Sequence, residues 1–178
     1  NMGLVGLVCT ALCFLPGAKP TNVTTLAVVL TIGFGSWGIN PLNTIPTMLG
    51  VCLYALVKRE KLSGLVNAMM FSTGIAPLIS ELLLRYPGGE TIGFNVLGIF
   101  LAILVGLIIG FFLPAGLAHA PKVHKGFSLY SAALPIGMTA FFLNAALYKT
   151  IGFNLPGAPD VSTLTGEFAS RMTVNIFC

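Results

Sequence analysis

Along the chain, apolar runs alternate with short polar breaks. Six runs stand out, near residues 2–15, 23–39, 41–57, 64–84, 92–118 and 127–148. A helix needs about 20 apolar residues, within a range of about 17–25, to cross the hydrocarbon core of a bilayer. Backbone groups in lipid must be satisfied internally, so membrane spans are helices or closed barrels. Strict alternation of apolar and polar positions is absent, which leaves helices. The first run is short and ends at Pro16-Gly17. The third opens on Asn40-Pro41, an N-cap candidate followed by proline at the first helical position. The fifth is long enough to tilt, or to bend at Pro114. The expected fold class is all-α, a polytopic integral membrane bundle of about six transmembrane helices, some broken by Gly and Pro. Residues 149–178 read as a polar connector and the start of a further segment, so the chain is expected to be a fragment of a longer protein.

Composition points the same way. Of 178 residues, 56% are hydrophobic and 8% charged, and the mean hydropathy is +0.94. Soluble domains carry about 25% charged residues. Nine basic and five acidic side chains cannot build a water-facing surface. That excludes an ordinary soluble enzyme, a disordered segment and a disulfide scaffold. The net charge of +4 is not a nucleic-acid footprint, because the basic residues lie in the breaks between runs. The expected partners are the lipid bilayer and either a second copy or the remaining half of the same chain, with no nucleic acid.

Lys and Arg mark the cytoplasmic side of a membrane protein. Lys19, then Lys58, Arg59 and Lys61, then Lys122 and Lys125 fall in alternate breaks, against Arg85 and Lys149 in the others. This places loops 16–22, 58–63 and 119–126 in the cytoplasm and the N-terminal end outside. His119 and His124 fall in the last of these loops and carry no metal-ligand pattern.

Three places carry helix breakers deep in apolar sequence. Runs two and three meet at Gly33–Pro41, run four contains Ser72-Thr73-Gly74-Ile75-Ala76-Pro77, and run six is interrupted by Pro135 and Gly137. Unwound backbone at membrane depth occurs inside protein or along a watery cavity, and transporters aim such breaks at substrates and ions. Gly and Pro equally serve kinking and close helix packing. Run four is the strongest candidate for a substrate or ion site: Ser72 and Thr73 offer oxygens, Gly74 and Pro77 open the backbone, and Glu81 lies further along. Glu81 is the ionisable residue within an apolar run. It stands four residues before Arg85, a spacing that also allows a plain interfacial ion pair. Gly106 and Gly110 form a Gly-x-x-x-Gly packing surface. Asn67, Asn95 and Asn144 either join helices or meet headgroup water.

No nucleotide loop, zinc helix or nucleophile elbow occurs, so no enzyme, cofactor or metal is expected. Cys9, Cys13 and Cys52 read as small apolar side chains within runs, and Cys178 ends the chain. Thr-Ile-Gly-Phe recurs at Thr31, Thr91 and Thr150, and LPGAKPTNVTTL from Leu15 resembles LPGAPDVSTL from Leu155. If the second likeness marks a repeat, its five-span unit is inverted in the second copy, as in some transporters.

The stretch from Pro46-Thr47-Met48-Leu49-Gly50 through Lys58-Arg59-Glu60-Lys61-Leu62-Ser63-Gly64 to Ser72-Thr73-Gly74-Ile75-Ala76-Pro77-Leu78-Ile79-Ser80-Glu81 resembles a family of bacterial multi-pass membrane proteins, domain of unknown function 1576. The apolar run Phe94–Leu113 and the loop Pro121–Lys125 are in keeping with it. The resemblance implies a bacterial inner (plasma) membrane location and carries no catalytic residues. Two functions remain open: a secondary transporter or permease driven by a gradient, and a non-transporting scaffold or assembly protein.

Overall fold

The computed structural model describes residues 2–86, 93–125, 127 and 132–150, and every regular element among them is helical. Helix α1 spans Met2–Cys13 and α2 Asn22–Phe34, the latter extended by a 3-10 turn at Gly35–Trp37. Helix α3 is Pro41–Lys58 and α4 is Val66–Ser72. A 3-10 turn at Thr73–Ile75 joins α4 to α5, Ala76–Arg85. Helix α6 is Val96–His124, and α7, Ala133–Asn144, runs on into a π-helical turn at Ala145–Thr150. The two sequence repeats depend on residues 91–92 and 151–164, and with most of the 149–178 connector these lie outside the described residues.

Helix α3 starts where its sequence signals put it. Asn40 is extended, its side chain accepts from the Asn43 N–H at 3.0 Å, and Asn43 Oδ1 accepts from the Asn40 N–H at 2.9 Å. That reciprocal pair is the capping box, with Pro41 at the next position. Gly38, at φ 100°, turns the chain in front of it.

Two expectations are corrected. The fifth run does not stop near residue 118: α6 continues through Pro114 and Pro121 to His124. His119 and His124 therefore sit on its last turns, not in a loop, and His119 Nδ1 lies 2.9 Å from the Ala115 carbonyl. Each proline removes one donor only, and the flanking Ala and Leu residues favour helix; Lys125, left-handed at φ 49°, ends it. The sixth run is not interrupted at Pro135. That residue is the third of α7, in the first turn, where a missing N–H forfeits no intrahelical bond. The helix then continues through Gly137.

Packing in α3 is inverted relative to a soluble helix. Its buried face carries Asn43, Thr44, Pro46, Thr47, Gly50 and Val51, while Leu42, Ile45, Leu49, Leu53 and Leu56 are exposed. Those leucines and the isoleucine recur at helical spacing along one outward stripe. Helix α6 is mixed: Gly98, Ala102, Gly106 and Gly110 face in together with Val105, Ile109 and Leu113, and Phe100, Ile103, Leu104 and Phe112 face out. Among the described residues, two helices are long and apolar enough to cross a membrane. They are Val66–Arg85, which counts α4, the 3-10 turn and α5 as one, and Val96–His124.

The most extensive packing is between α3 and α6, which run parallel. A Cβ on Gly106 would strike Pro46, and one on Gly110 would strike the Thr47 carbonyl and come within 2.7 Å of Gly50 Cα. Further along, Tyr54 meets Phe111 edge to face at 5.7 Å. The Gly-x-x-x-Gly of α6 is thus a packing surface in fact: without side chains there, backbone meets backbone. Parallel neighbours need a return path, which the α4–α5 pair supplies. Helices α1 and α2 form an antiparallel hairpin in which Gly6 meets Ile32 and Gly35 meets Met2. Leu12 and Leu117 join Met48, Val51, Ala68 and Met69 in one apolar cluster, so the C-terminal halves of α1 and α6 converge on the end where α4 begins.

Candidate functional site

Run four is a continuous, slightly overwound helical rod, not an opened one. Pro77 has no N–H to give to the Thr73 carbonyl, and the Ala76 N–H takes that carbonyl instead. This shortened bond is the 3-10 turn, so the break is closed within the backbone. The hydroxyls are also occupied. Ser72 donates to the Met69 carbonyl and Thr73 to the Met70 carbonyl, each at 2.7 Å, and both residues are 1% exposed. Back-bonding of this kind ties Ser and Thr to their own helix. Gly74 leaves room for Ile136 of α7, whose Cδ1 would be 3.3 Å from an added Cβ. Beside Thr73 and Gly74, against Thr31 and Phe34 of α2, lies a cavity of about 10 Å³, no larger than one water. Ser72, Thr73, Gly74 and Pro77 are therefore brought together, but around a filled seam.

Glu81 stands apart from them, toward the far end of α5. Its Oε2 lies 3.8 Å from Arg85 Nε, the i,i+4 pair expected from spacing. That distance is an ion pair without a hydrogen bond. The same oxygen is shielded from solvent and has no hydrogen-bond partner. Tyr148, on the π turn after α7, is near enough to feel its charge.

The polar centre of this end was not anticipated. Asn43, fully buried, donates through Nδ2 to the Gly38 carbonyl and to Ser80 Oγ, both at 2.8 Å. With its Oδ1 on the Asn40 N–H, one amide ties the α2–α3 turn, the start of α3 and α5 together. Its signal in the sequence was its place three residues after an N-cap asparagine, where a capping box needs a reciprocating side chain. Of the other asparagines, Asn95 caps α6 by accepting from the Leu97 N–H at 3.1 Å. Asn67 keeps an Oδ1 without a partner. Cys9, Cys13 and Cys52 are free thiols, and Cys13 Sγ lies 3.5 Å from the Cys9 carbonyl.

The sequence pattern of the family described as "Protein of unknown function (DUF1576)" matches residues 1–149. The chain belongs to that family. The match takes in α1 to α7, including the capped start of α3 and the Ser72–Glu81 stretch. No curated protein and no solved structure matches the chain. The family description assigns no activity, so a functional reading has to come from the geometry above.

Proposed function

We propose that this chain is a multi-pass protein of the bacterial inner (plasma) membrane and that it works as a permease-like carrier of small solutes or ions. The observation that carries the membrane reading is the inverted packing of α3, with Asn43, Thr44, Thr47 and Gly50 inside and Leu42, Ile45, Leu49, Leu53 and Leu56 outside. Water would favour the reverse, whereas lipid is as apolar as leucine and rewards small, hydrogen-bonding interfaces. The same packing explains why α3, at 18 residues, is less apolar overall than a lipid-facing surface alone would require. In this reading the runs make about six crossings, with Lys19, Lys61 and Lys122 on the cytoplasmic side. Single cysteines replacing Lys61 and Lys122 are then expected to resist an impermeant thiol reagent in intact cells and to label after permeabilisation. Labelling of both in intact cells would reverse the orientation.

Transport is supported by Glu81, a carboxylate in a lipid-embedded bundle with one oxygen shielded and lacking a hydrogen bond. Such groups carry protons or cations in membrane proteins. The test uses the purified chain in liposomes under a potassium-diffusion potential, with a trapped pH dye. Wild type should admit protons faster than empty liposomes, Glu81→Gln should remove most of the excess, and Arg85→Gln should keep most of it. A wild type indistinguishable from empty liposomes would sink the carrier reading. The scaffold reading would then stand, favoured by the filled Ser72–Pro77 seam.

A further inference from the structure

At the end of the bundle where α1 turns into α2 and α3 turns into α4, the two connections meet around a cavity of about 390 Å³. Gly17, at φ +85°, bends the first connection against the second, and a Cβ there would lie 3.4 Å from Ser63 Oγ. Among the described residues the lining includes Lys19 and Lys61, one from each connection, with Ser63, Thr21 and Asn67, and no carboxylate. The Glu81–Arg85 ion pair is at the other end. Helix α2, 13 residues long, begins at this cavity, and within its Thr21–Thr24 capping box Thr24 Oγ1 accepts from the Thr21 N–H at 2.9 Å; the other first-turn N–H groups of a helix have no intrahelical partner. Asn67 adds an amide whose oxygen has no hydrogen-bond partner.

Two lysines that line one pocket, with no carboxylate among its described lining residues, make it a place of positive potential, which an anion relieves. A phosphate group suits the arrangement: its several oxygens accept from both lysines, from Ser63 Oγ and from backbone N–H groups at once. We propose that this cavity binds a phosphate group, presented either by an anionic phospholipid headgroup or by a free phosphate ester. The site is independent of Glu81 and of any transport.

The test uses the full chain in detergent and in nanodiscs, with phosphatidylglycerol, phosphatidylcholine and soluble glycerol 3-phosphate as probes. Native mass spectrometry counts retained lipid, and thermal shift reads the soluble ligand. Wild type should retain phosphatidylglycerol over phosphatidylcholine, or be stabilised by glycerol 3-phosphate. The double variant Lys19→Gln/Lys61→Gln should weaken binding by roughly tenfold or more, since two phosphate-facing cations are lost. Both lysines are exposed, so folding should survive. The control Lys122→Gln/Lys125→Gln removes the same charge elsewhere and should bind as wild type. Preference for the lipid identifies a headgroup site, and preference for glycerol 3-phosphate identifies a soluble ligand. No binding of either probe, or equal losses in the double variant and the control, would overturn the proposal.

Discussion

Two of the seams of helix α6, toward α3 and toward α7, differ in kind. Toward α3 it presents Gly106 and Gly110, and the backbones approach until no Cβ fits. Toward α7 it touches tightly at one point, where a Cβ on Gly116 would be 2.6 Å from Pro135 Cβ. Next to that pinch the helices diverge around an apolar cleft of about 510 Å³ lined by Phe112, Val123, Leu134 and Met138. One helix thus joins a neighbour by removing side chains and another by spacing large ones apart. On the membrane reading proposed above, burial of leucine against leucine gains little over leucine against acyl chain, and close backbone approach is the stronger adhesive. Of these two seams the α3–α6 one is the closer, and the α6–α7 one has room beside it.

The sharpest way to break that contrast is Gly110→Leu. The atoms opposite are the Thr47 carbonyl, Gly50 Cα and the Val51 nitrogen, all backbone, so nothing flexible can yield. Overpacking of ordinary cores costs about 1–3 kcal/mol, and a backbone-lined seam should exceed about 3 kcal/mol. The expected result is loss of the monodisperse peak on size exclusion in detergent. A well-folded Gly110→Leu protein of near wild-type melting temperature would show that the two helices do not pack this closely.

Much of this seam was legible before any coordinates. Gly106 and Gly110 share a helix face by spacing alone, and Asn40-Pro41 announces the start of α3 through local hydrogen bonding that needs no tertiary partner. The all-helical class follows in the same way from run length and the lack of alternation. What could not be read was whatever depends on which helix stands opposite. Gly50 has no Gly-x-x-x-Gly companion in α3, and its role exists only because Leu107 and Gly110 face it. Pro135 looked like an interior break because a run of apolar residues precedes it, yet helix α7 begins at Ala133. At Ser72–Pro77 the composition invited unwinding, and the competing effect was local: hydroxyls and an N–H three residues away captured the carbonyls. The cavity between Lys19 and Lys61 joins positions 42 residues apart (61 minus 19), a juxtaposition that a linear reading treats as two separate topology signals.

A gentler comparison uses one substitution at two glycines. Gly106→Ala adds a methyl that meets Pro46, whose ring and carbonyl carbon are fixed within α3. A cost of about 1–3 kcal/mol is expected, because the helices must separate slightly along their whole contact. Gly137→Ala, in α7, adds the same methyl where no atom lies within 4 Å. Neither residue has a positive φ, so no backbone strain enters. At Gly137 the remaining effect is the lower entropy cost of holding alanine in a helix, worth about 0.5–1 kcal/mol in favour of the folded state. Thermal unfolding in one detergent should therefore move in opposite directions for the two variants, down for Gly106→Ala and slightly up for Gly137→Ala. Equal destabilisation by both would mean that α7 is held as closely as α3, and the distinction between the two seams of α6 would fall. A neutral Gly106→Ala beside a stabilising Gly137→Ala would mean that the α3–α6 seam has slack, and α3 would be held in place instead by the Asn43–Ser80 hydrogen bond to α5 and the apolar cluster around Val51.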